Sequence, residues 1–188
     1  MSLIEARTVN AHAWQREDNE HYVEPEWCSR RLFEEEAFSG TIHDPACGFG
    51  NVVKSAKALD LPAFGTDLVD RGGSELPPQN FFDVRTKVAN IVTNPPFKII
   101  ENFTLHALSL ALLKVAVVMP TARMNAAHWL RGTPLRRIWL MTPRPSMPPG
   151  SVIAAGEKPG GGKVDFCWLV FQQGWEGHAE TRWLRRDA

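Results

Sequence analysis

The feature that most constrains the fold of this chain is the alternation of short apolar segments with segments of helical periodicity between residues 41 and 119. The apolar segments are too short to be stable helices, and residues typical of turns follow them. Because parallel strands need long crossover connections, this alternation predicts a mostly parallel sheet covered by helices on both faces. An α/β, doubly wound domain is therefore expected. Its predicted strands are 41–43, 63–66, 88–93, 114–119, 137–141 and 164–171.

Helical spacing of apolar residues predicts three helices, at 25–38, 51–59 and 99–113. Residues 1–21 are polar and aperiodic, so we expect an N-terminal arm there and a single domain over residues 22–188. The stretch 142–163 is rich in glycine and proline and too long for a tight hairpin. We expect it to be a mobile loop.

Composition narrows the class of protein. Hydrophobic residues at 44% and charged residues at 22% are typical of globular proteins and argue against a disordered chain. The three cysteines lack CxxC spacing and a nearby histidine cluster, so free thiols are expected rather than a zinc site or a disulfide framework. The apolar run 107–119 is too short to cross a bilayer, and no signal-peptide pattern opens the chain. A cytoplasmic protein with no membrane partner is therefore expected.

Charge is unevenly distributed although the formal net charge is zero. Residues 1–40 carry nine acidic and four basic residues, whereas residues 102–156 carry six basic residues and no acidic one. Such a stretch is either a chance excess of basic residues on the surface or a face that binds phosphates. The basic residues are Lys114, Arg123, Arg131, Arg136, Arg137 and Arg144.

Ligands of open parallel sheets bind beyond the carboxyl ends of the strands, so residues that follow the predicted strands are the candidate site residues. The first strand runs into Asp44-Pro45-Ala46-Cys47-Gly48-Phe49-Gly50, where glycines allow close backbone approach to a ligand. Asp67 follows the second strand, where an acid can accept hydrogen bonds from ribose hydroxyls. The third glycine of the dinucleotide fingerprint is missing, which disfavours NAD. S-adenosylmethionine and a purely structural turn remain as interpretations.

A corner of sequence Asn94-Pro95-Pro96-Phe97 follows the predicted strand 88–93. The side-chain oxygen of Asn94 and the carbonyl of Pro95 can each accept a hydrogen bond, and Phe97 can stack on a flat ring. An amine conjugated to a ring is a poor nucleophile because its lone pair is delocalised. Two acceptors that hold its hydrogens would favour the pyramidal form, whose lone pair points at an incoming methyl group. The corner thus indicates chemistry on a planar amine.

Several other conspicuous residues are predicted to be structural. Trp139, Trp168 and Trp183 lie in apolar or strand-like segments and are expected in the core. His43 is expected to satisfy a local hydrogen bond, and the small size of Cys47 suits its glycine turn.

The two motifs resemble the amino-methyltransferases that use S-adenosylmethionine, which are marked by a D-P-x-C-G-x-G turn and an [ND]-P-P-[YF] corner. Both are complete and in the usual order, 50 residues apart from Asp44 to Asn94. Within that superfamily the chain is most similar to the small DNA N6-adenine methyltransferases of phages and prophages. Further matching segments are HYVEPEW at 21–27, TDLVDRG at 66–72, IVTNPPF at 91–97, DFCWLVF at 165–171 and ETRWL at 180–184.

The resemblance implies a Rossmann-like class I methyltransferase fold with a mostly parallel doubly wound sheet and an antiparallel C-terminal strand. It also implies direct methyl transfer to the N6 amine of an extruded adenine in DNA, with S-adenosylmethionine as cofactor and no metal ion. With 91 residues after Phe97 that must also supply the rest of the sheet, no separate target-recognition domain is expected. The same corner serves enzymes that methylate guanine in RNA or glutamine in proteins, and a non-catalytic prophage relic is a further alternative.

The resemblance also assigns roles to individual residues. Asp67 would bind the ribose of the cofactor and Asp83 its adenine amine. Glu24 stands where the family has threonine in a Y-x-T-P segment, and its carboxylate would repel that of the cofactor. The catalytic residues would be Asn94, Pro95, Pro96 and Phe97. The cofactor-binding residues would be Tyr22, Pro25, Asp44, Pro45, Ala46, Cys47, Gly48, Gly50, Asp67, Leu68, Asp83 and Asn94. The residues that contact nucleic acid would be Arg123, Arg131, Arg136, Arg137 and Arg144.

Overall fold

The computed structural model describes residues 21–157 and 160–187, in which seven strands form one sheet. The strands are β1 (Ile42–Asp44), β2 (Ala63–Gly65), β3 (Val88–Thr93), β4 (Ala111–Pro120), β5 (Leu135–Thr142), β6 (Phe166–Gln172) and β7 (Glu180–Arg185). The α-helices are α1 (Glu26–Glu35), α2 (Asn51–Lys57), α3 (Ile100–Leu110) and α4 (Gly150–Ala154). Short 3-10 helices span Phe81–Asp83, Phe97–Ile99, Thr121–Ala126 and His128–Leu130. The predicted arm lies almost wholly outside the described residues.

The sheet order is β2-β1-β3-β4-β6-β5-β7. Strands β2, β1, β3 and β4 pair in parallel, with Ile42 opposite both Ala63 and Asn90. Strand β6 is antiparallel to both β4 and β5. The predictions of an α/β fold, a mostly parallel sheet and an antiparallel strand near the C-terminus are therefore confirmed. The antiparallel strand is followed by β7, which is parallel to β5 and which the periodicity did not predict.

Some predicted boundaries are wrong, and the clearest case lies between α3 and β4. The helix predicted over 99–113 ends at Leu110, and β4 begins at Ala111 rather than at residue 114. Apolar residues continue through this junction, so the hydrophobic pattern contains no break at which helix changes to strand. Pairing of Ala111 with Val88 in the neighbouring strand places the boundary.

Two of the three tryptophans are in the core, as predicted. Trp168 in β6 is fully buried, and its indole N–H donates to the Cys28 carbonyl in α1 at 3.0 Å. Trp139 in β5 is 3% exposed. Trp183 is 66% exposed, so its core prediction is wrong. It lies in β7, the edge strand, where five of the six residues face solvent.

A buried ion cluster connects the end of α1 to the sheet. The carboxylate of Glu36, a residue 2% exposed, accepts hydrogen bonds from Arg137 at 2.6 Å, Lys114 at 3.0 Å and Trp139 at 3.0 Å. Burial opposes ionisation of Glu36, but the hydrogen bond and charge of Lys114 and the donors of Trp139 and Arg137 hold its pKa below the usual value. The assignment of Arg137 to nucleic-acid binding is wrong, because its guanidinium is buried in this cluster.

Replacing Arg137 by alanine is expected to destabilise the protein by about 3 kcal/mol, because it leaves part of a buried charge uncompensated. Urea denaturation at pH 7 measures this loss. The control is Arg144→Ala, which removes an ion pair to Asp165 whose side chains are 57% and 60% exposed and which should leave the urea midpoint unchanged. Equal midpoints for the two variants would contradict the structural role of Arg137.

The Gly/Pro-rich stretch 142–163 is not a free loop over its described part. It contains α4, and Met147 and Gly150 are buried. The Val23 N–H donates to the Pro148 carbonyl at 2.9 Å, and the Gly150 N–H donates to the His21 carbonyl at 2.9 Å. These bonds attach the stretch to the segment that precedes α1. Among the described residues, no helix is long and apolar enough to cross a membrane.

Candidate active site

A cavity of about 440 Å³ opens where β1, β2 and β3 end. Three polar side chains at or just beyond the ends of these strands lie in its wall, namely Asp44, Asp67 and Asn94. Both its position beyond the carboxyl ends of parallel strands and its volume are typical of a small-molecule site. The rest of the wall comes chiefly from the segment 21–24, the turn 45–49 and residues 80–82.

The glycine motif forms the predicted strand-to-helix turn between β1 and α2. Gly48 and Gly50 have φ of +51° and +81°, in the left-handed region that favours glycine. The Gly48 N–H donates to Asp67 Oδ2 at 2.8 Å. A Cβ on Gly48 would overlap the His21 ring, and a Cβ on Gly73 would overlap the backbone of the turn. The turn is therefore enclosed between two other parts of the chain, and no larger side chain fits at these positions.

Cys47 and His43 have the structural roles that were predicted for them. Burial, together with the charges of Asp44 and Asp67, raises the pKa of the Cys47 thiol to about 12, so the thiol stays protonated. Burial lowers the pKa of His43 to about 4, and its Nε2 lies 2.8 Å from the Thr66 hydroxyl. Neither side chain is an activated nucleophile or base. Cys28, Cys47 and Cys167 are all free and buried.

Asp67 lies in the cavity wall and is held in place by several donors. Besides Gly48, the Arg71 guanidinium donates to it at 2.8 Å and the Val69 N–H at 3.1 Å. A carboxylate has about four acceptor sites, so a ligand hydroxyl can still bind. Sequence reasoning missed Arg71, although its spacing of four residues from Asp67 is the available signal.

The Asn94 side chain has hydrogen-bond partners for its nitrogen and no donor for its oxygen. Its Nδ2 donates to the Tyr22 carbonyl and to Glu24 Oε2, each at 2.8 Å. Its Oδ1 is buried and accepts no hydrogen bond from the described residues. A buried acceptor without a donor costs about 1–3 kcal/mol. Because Asn94 lies in the cavity wall, this unpaired acceptor is a candidate ligand contact.

The remaining corner residues are tightly packed. The Pro96 carbonyl accepts from the Ile99 N–H at 3.2 Å, and the Phe97 carbonyl accepts from Arg123 at 2.6 Å. The Phe97 ring is 8% exposed and lies parallel to the Tyr22 ring, with centroids 6.1 Å apart. Pro95 and Phe97 are not among the cavity-lining residues. Tyr22 therefore lies against Phe97, the residue that was predicted to stack on a base.

The structure brings most of the predicted cofactor residues to the cavity. Those in its wall are Tyr22, Asp44, Pro45, Ala46, Cys47, Gly48, Asp67, Leu68 and Asn94. Pro25 instead precedes α1, and Gly50 precedes α2. Asp83 is exposed and is not among the cavity-lining residues, so its assignment to the cofactor amine stays a prediction. Asn80 lies in the wall instead and caps the 3-10 helix Phe81–Asp83 by accepting from Phe82 N–H at 3.1 Å.

The predicted basic face is smaller than the sequence indicated. Arg136 donates a hydrogen bond to the Gln172 side chain, and its Cζ lies 5.2 Å from the centroid of the Trp175 ring. Arg144 forms an ion pair with Asp165. Arg123 and Arg131 are exposed. Lys98 is also exposed and lies in the cavity wall, which sequence reasoning did not single out. No cluster of three or more metal-ligating side chains occurs within residues 21–157 and 160–187.

The fold is similar to that of solved methyltransferases. The M protein of the type I restriction enzyme EcoKI is 15% identical, with a TM-score of 0.58 over 88% of this chain and 48% of that chain. A Pyrococcus horikoshii protein proposed to be an RNA methyltransferase is 12% identical, with a TM-score of 0.55 over 78% and 80% of the two chains. The magnesium protoporphyrin IX methyltransferase of Synechocystis PCC 6803, solved with S-adenosylmethionine bound, is 12% identical, with a TM-score of 0.51 over 77% and 74%.

These likenesses show that the chain has the Rossmann-like fold of class I methyltransferases. The chain spans about half the length of the EcoKI M protein, 48% of it. Neither a protein-family model nor a curated protein sequence matches the chain.

Proposed function

We propose that this protein transfers a methyl group from S-adenosylmethionine to the N6 amine of adenine in DNA. The observation that carries the proposal is the buried Asn94 oxygen that lacks a hydrogen-bond donor, on a residue in the wall of a cavity at the carboxyl ends of the strands. In the methyltransferase fold this edge of the sheet is where a ligand binds. The complete D-P-x-C-G-x-G and N-P-P-F motifs support the amine chemistry.

The residues of the cavity fit S-adenosylmethionine. The turn from Asp44 to Gly48 lies in the cavity wall, where its backbone can contact a ligand. Asp67 would accept hydrogen bonds from the ribose hydroxyls, with Gly48 and Arg71 orienting its carboxylate. When bound, the cofactor supplies an electrophilic methyl group.

Asn94 and Pro95 would orient the target amine. With Asn94 Oδ1 and the Pro95 carbonyl as acceptors, both amine hydrogens are held on one side of the nitrogen. The lone pair is then directed away from the corner, toward the methyl group. Alignment of the two reactants in one cavity replaces a bimolecular encounter, and no covalent enzyme intermediate is required.

Adenine in DNA is the substrate that the sequence resemblance and the EcoKI likeness favour. The target base would leave the duplex and enter the cavity, where Tyr22 must move to expose the Phe97 face. Exposed Lys98, Arg123 and Arg131 would contact the phosphate backbone. Arg123 also donates to the Phe97 carbonyl, and Arg136, Arg137 and Arg144 are engaged within the protein.

The test is transfer of a labelled methyl group from S-adenosylmethionine to unmethylated DNA, RNA and a protein extract in parallel, followed by digestion to nucleosides or amino acids. Label in N6-methyladenine from DNA is the expected result. Label only in RNA guanine or protein glutamine would overturn the DNA assignment and keep the chemistry. Absence of label in all three, with cofactor binding intact, would favour a non-catalytic protein.

Replacing Asp67 by asparagine is expected to weaken S-adenosylmethionine binding at least about 10-fold, because charged acceptors contribute about 1.5–3 kcal/mol per hydrogen bond. Isothermal titration calorimetry measures the Kd. The matched control is Asp70→Asn, three residues later, where the aspartate is exposed and does not line the cavity. Unchanged affinity in a folded Asp67→Asn variant would exclude Asp67 from the cofactor site.

A further inference from the structure

The geometry around the corner points to a positioning residue that no motif assigns. We infer that Glu24 holds the side-chain amide of Asn94 with its oxygen, and not its nitrogen, facing the target nitrogen. This inference rests on the proposed function for its choice of substrate. It concerns the one position at which the chain departs from the Y-x-T-P segment of the family it resembles.

An amide group has two ends of nearly equal size, so its hydrogen-bond partners decide which end faces a ligand. The Nδ2 of Asn94 has two acceptors, the Tyr22 carbonyl and Glu24 Oε2, each at 2.8 Å. A flipped amide would place its oxygen against these two acceptors and its nitrogen at the open position. Since an ionised carboxylate cannot donate, the flip would break two hydrogen bonds and leave none in their place. The observed orientation presents the acceptor that an amine substrate needs.

The backbone of Glu24 is itself fixed from two sides. Its carbonyl accepts from Asn51 Nδ2, at the first residue of α2, at 2.8 Å. The preceding residue, Val23, donates its N–H to the Pro148 carbonyl at 2.9 Å. Glu24 is 7% exposed, so its carboxylate does not swing into solvent. Glu24 is therefore a buried residue of the site and not a surface acid near it.

The electrostatic surroundings of Glu24 support this role. Burial raises the pKa of Glu24 to about 7, although the hydrogen bond from Asn94 acts to lower it. The titratable groups that interact with it are Asp44 at the end of β1 and Cys28 in α1. Above pH 7 the carboxylate is an acceptor only. Below pH 7 it gains a proton that can be donated to a flipped Asn94, so the preference for one orientation becomes weaker.

The test uses three variants of the full chain. Glu24→Met removes the acceptor and is expected to lower kcat about 10-fold or more at pH 8, with the Kd for S-adenosylmethionine within about twofold. Glu24→Gln retains an acceptor oxygen and should recover most of this loss. Glu26→Met, on the exposed face of α1, is the matched control and should keep the wild-type kcat. Wild-type kcat in Glu24→Met, or no recovery in Glu24→Gln, would overturn the inference.

A second measurement does not depend on turnover. The side-chain amide of Asn94, assigned by the loss of its ¹⁵N–¹H signals in Asn94→Asp, should exchange slowly with solvent in the wild type and fast in Glu24→Met. Equal exchange rates in the two proteins would refute the positioning role. If the wild type methylates no substrate, the proposed function fails while this measurement still decides the role of Glu24.

Discussion

Replacing Asn94 by alanine is expected to lower kcat for methyl transfer by about 100- to 1,000-fold, the range found when one positioned hydrogen-bond partner of a transition state is removed. The substitution deletes the open acceptor and leaves Pro95 as the only remaining acceptor of the corner for the target amine. Affinity for S-adenosylmethionine should change by less than about threefold, since the interaction is made with the reacting amine rather than with the cofactor alone. Single-turnover transfer of labelled methyl, with cofactor Kd by calorimetry, measures both quantities.

Asn125→Ala serves as the control, because Asn125 is exposed on the 3-10 helix Thr121–Ala126. It should behave as the wild type in both assays. A folded Asn94→Ala variant that keeps most of its kcat would show that the corner does not carry the chemistry. A variant that loses cofactor binding instead would place Asn94 in cofactor recognition alone.

Replacing Glu24 by glutamine is expected to stabilise the protein above pH 7 by about 3 kcal/mol, the free energy of a pKa displaced from 4.5 to about 7. The folded-state pKa is raised, so below pH 4.5 Glu24 is protonated in both states and contributes no penalty. Between pH 4.5 and 7 the unfolded chain ionises while the folded protein retains the proton, so the stability of the wild type falls as pH rises. Above pH 7 the loss is complete. Glutamine does not titrate, so the Glu24→Gln variant does not lose stability in this way as pH rises.

Urea denaturation of both proteins at pH 4, 6 and 8 measures this effect. The difference in the free energy of unfolding should be near zero at pH 4, intermediate at pH 6 and largest at pH 8. Burial also raises the pKa of Asp44, and the charge of Glu24 raises it further, so the titration of Asp44 is coupled to Glu24 and adds to the difference in the same direction. Glu26→Gln, which changes an exposed acid two residues away, should show no such trend. A difference that is constant across pH would contradict a buried, destabilised carboxylate at position 24.

Together, the Asn94→Ala and Glu24→Gln predictions indicate that the arrangement of the site lowers the stability of the folded protein. Ionised Glu24 destabilises the folded protein, yet in that form it provides an acceptor for the Asn94 amide without offering a competing donor. Local destabilisation is common where a residue is kept for function rather than for stability. Glu24→Gln should therefore be more stable than the wild type, with a small loss of kcat.

The sequence alone was sufficient for the features that depend on local backbone and local burial. The turn from Asp44 to Gly50 requires glycines at positive φ, and β3 stops before the prolines of the corner. Both are properties of neighbouring residues, which is why the motifs and the order of their elements could be read directly. The alternation of apolar segments likewise determined a mostly parallel sheet.

Only the tertiary structure decided which distant residues meet. Asn94 is oriented by Tyr22 and Glu24, 72 and 70 residues away along the chain. Arg137 is buried because Glu36, 101 residues before it, lies beside β5, and nothing in the local sequence of either residue records that pairing. Trp183 is exposed because β7 is at the edge of the sheet. Periodicity encodes which residues can be buried, whereas packing between elements determines which side chains share a buried site and which acceptor is left open to a ligand.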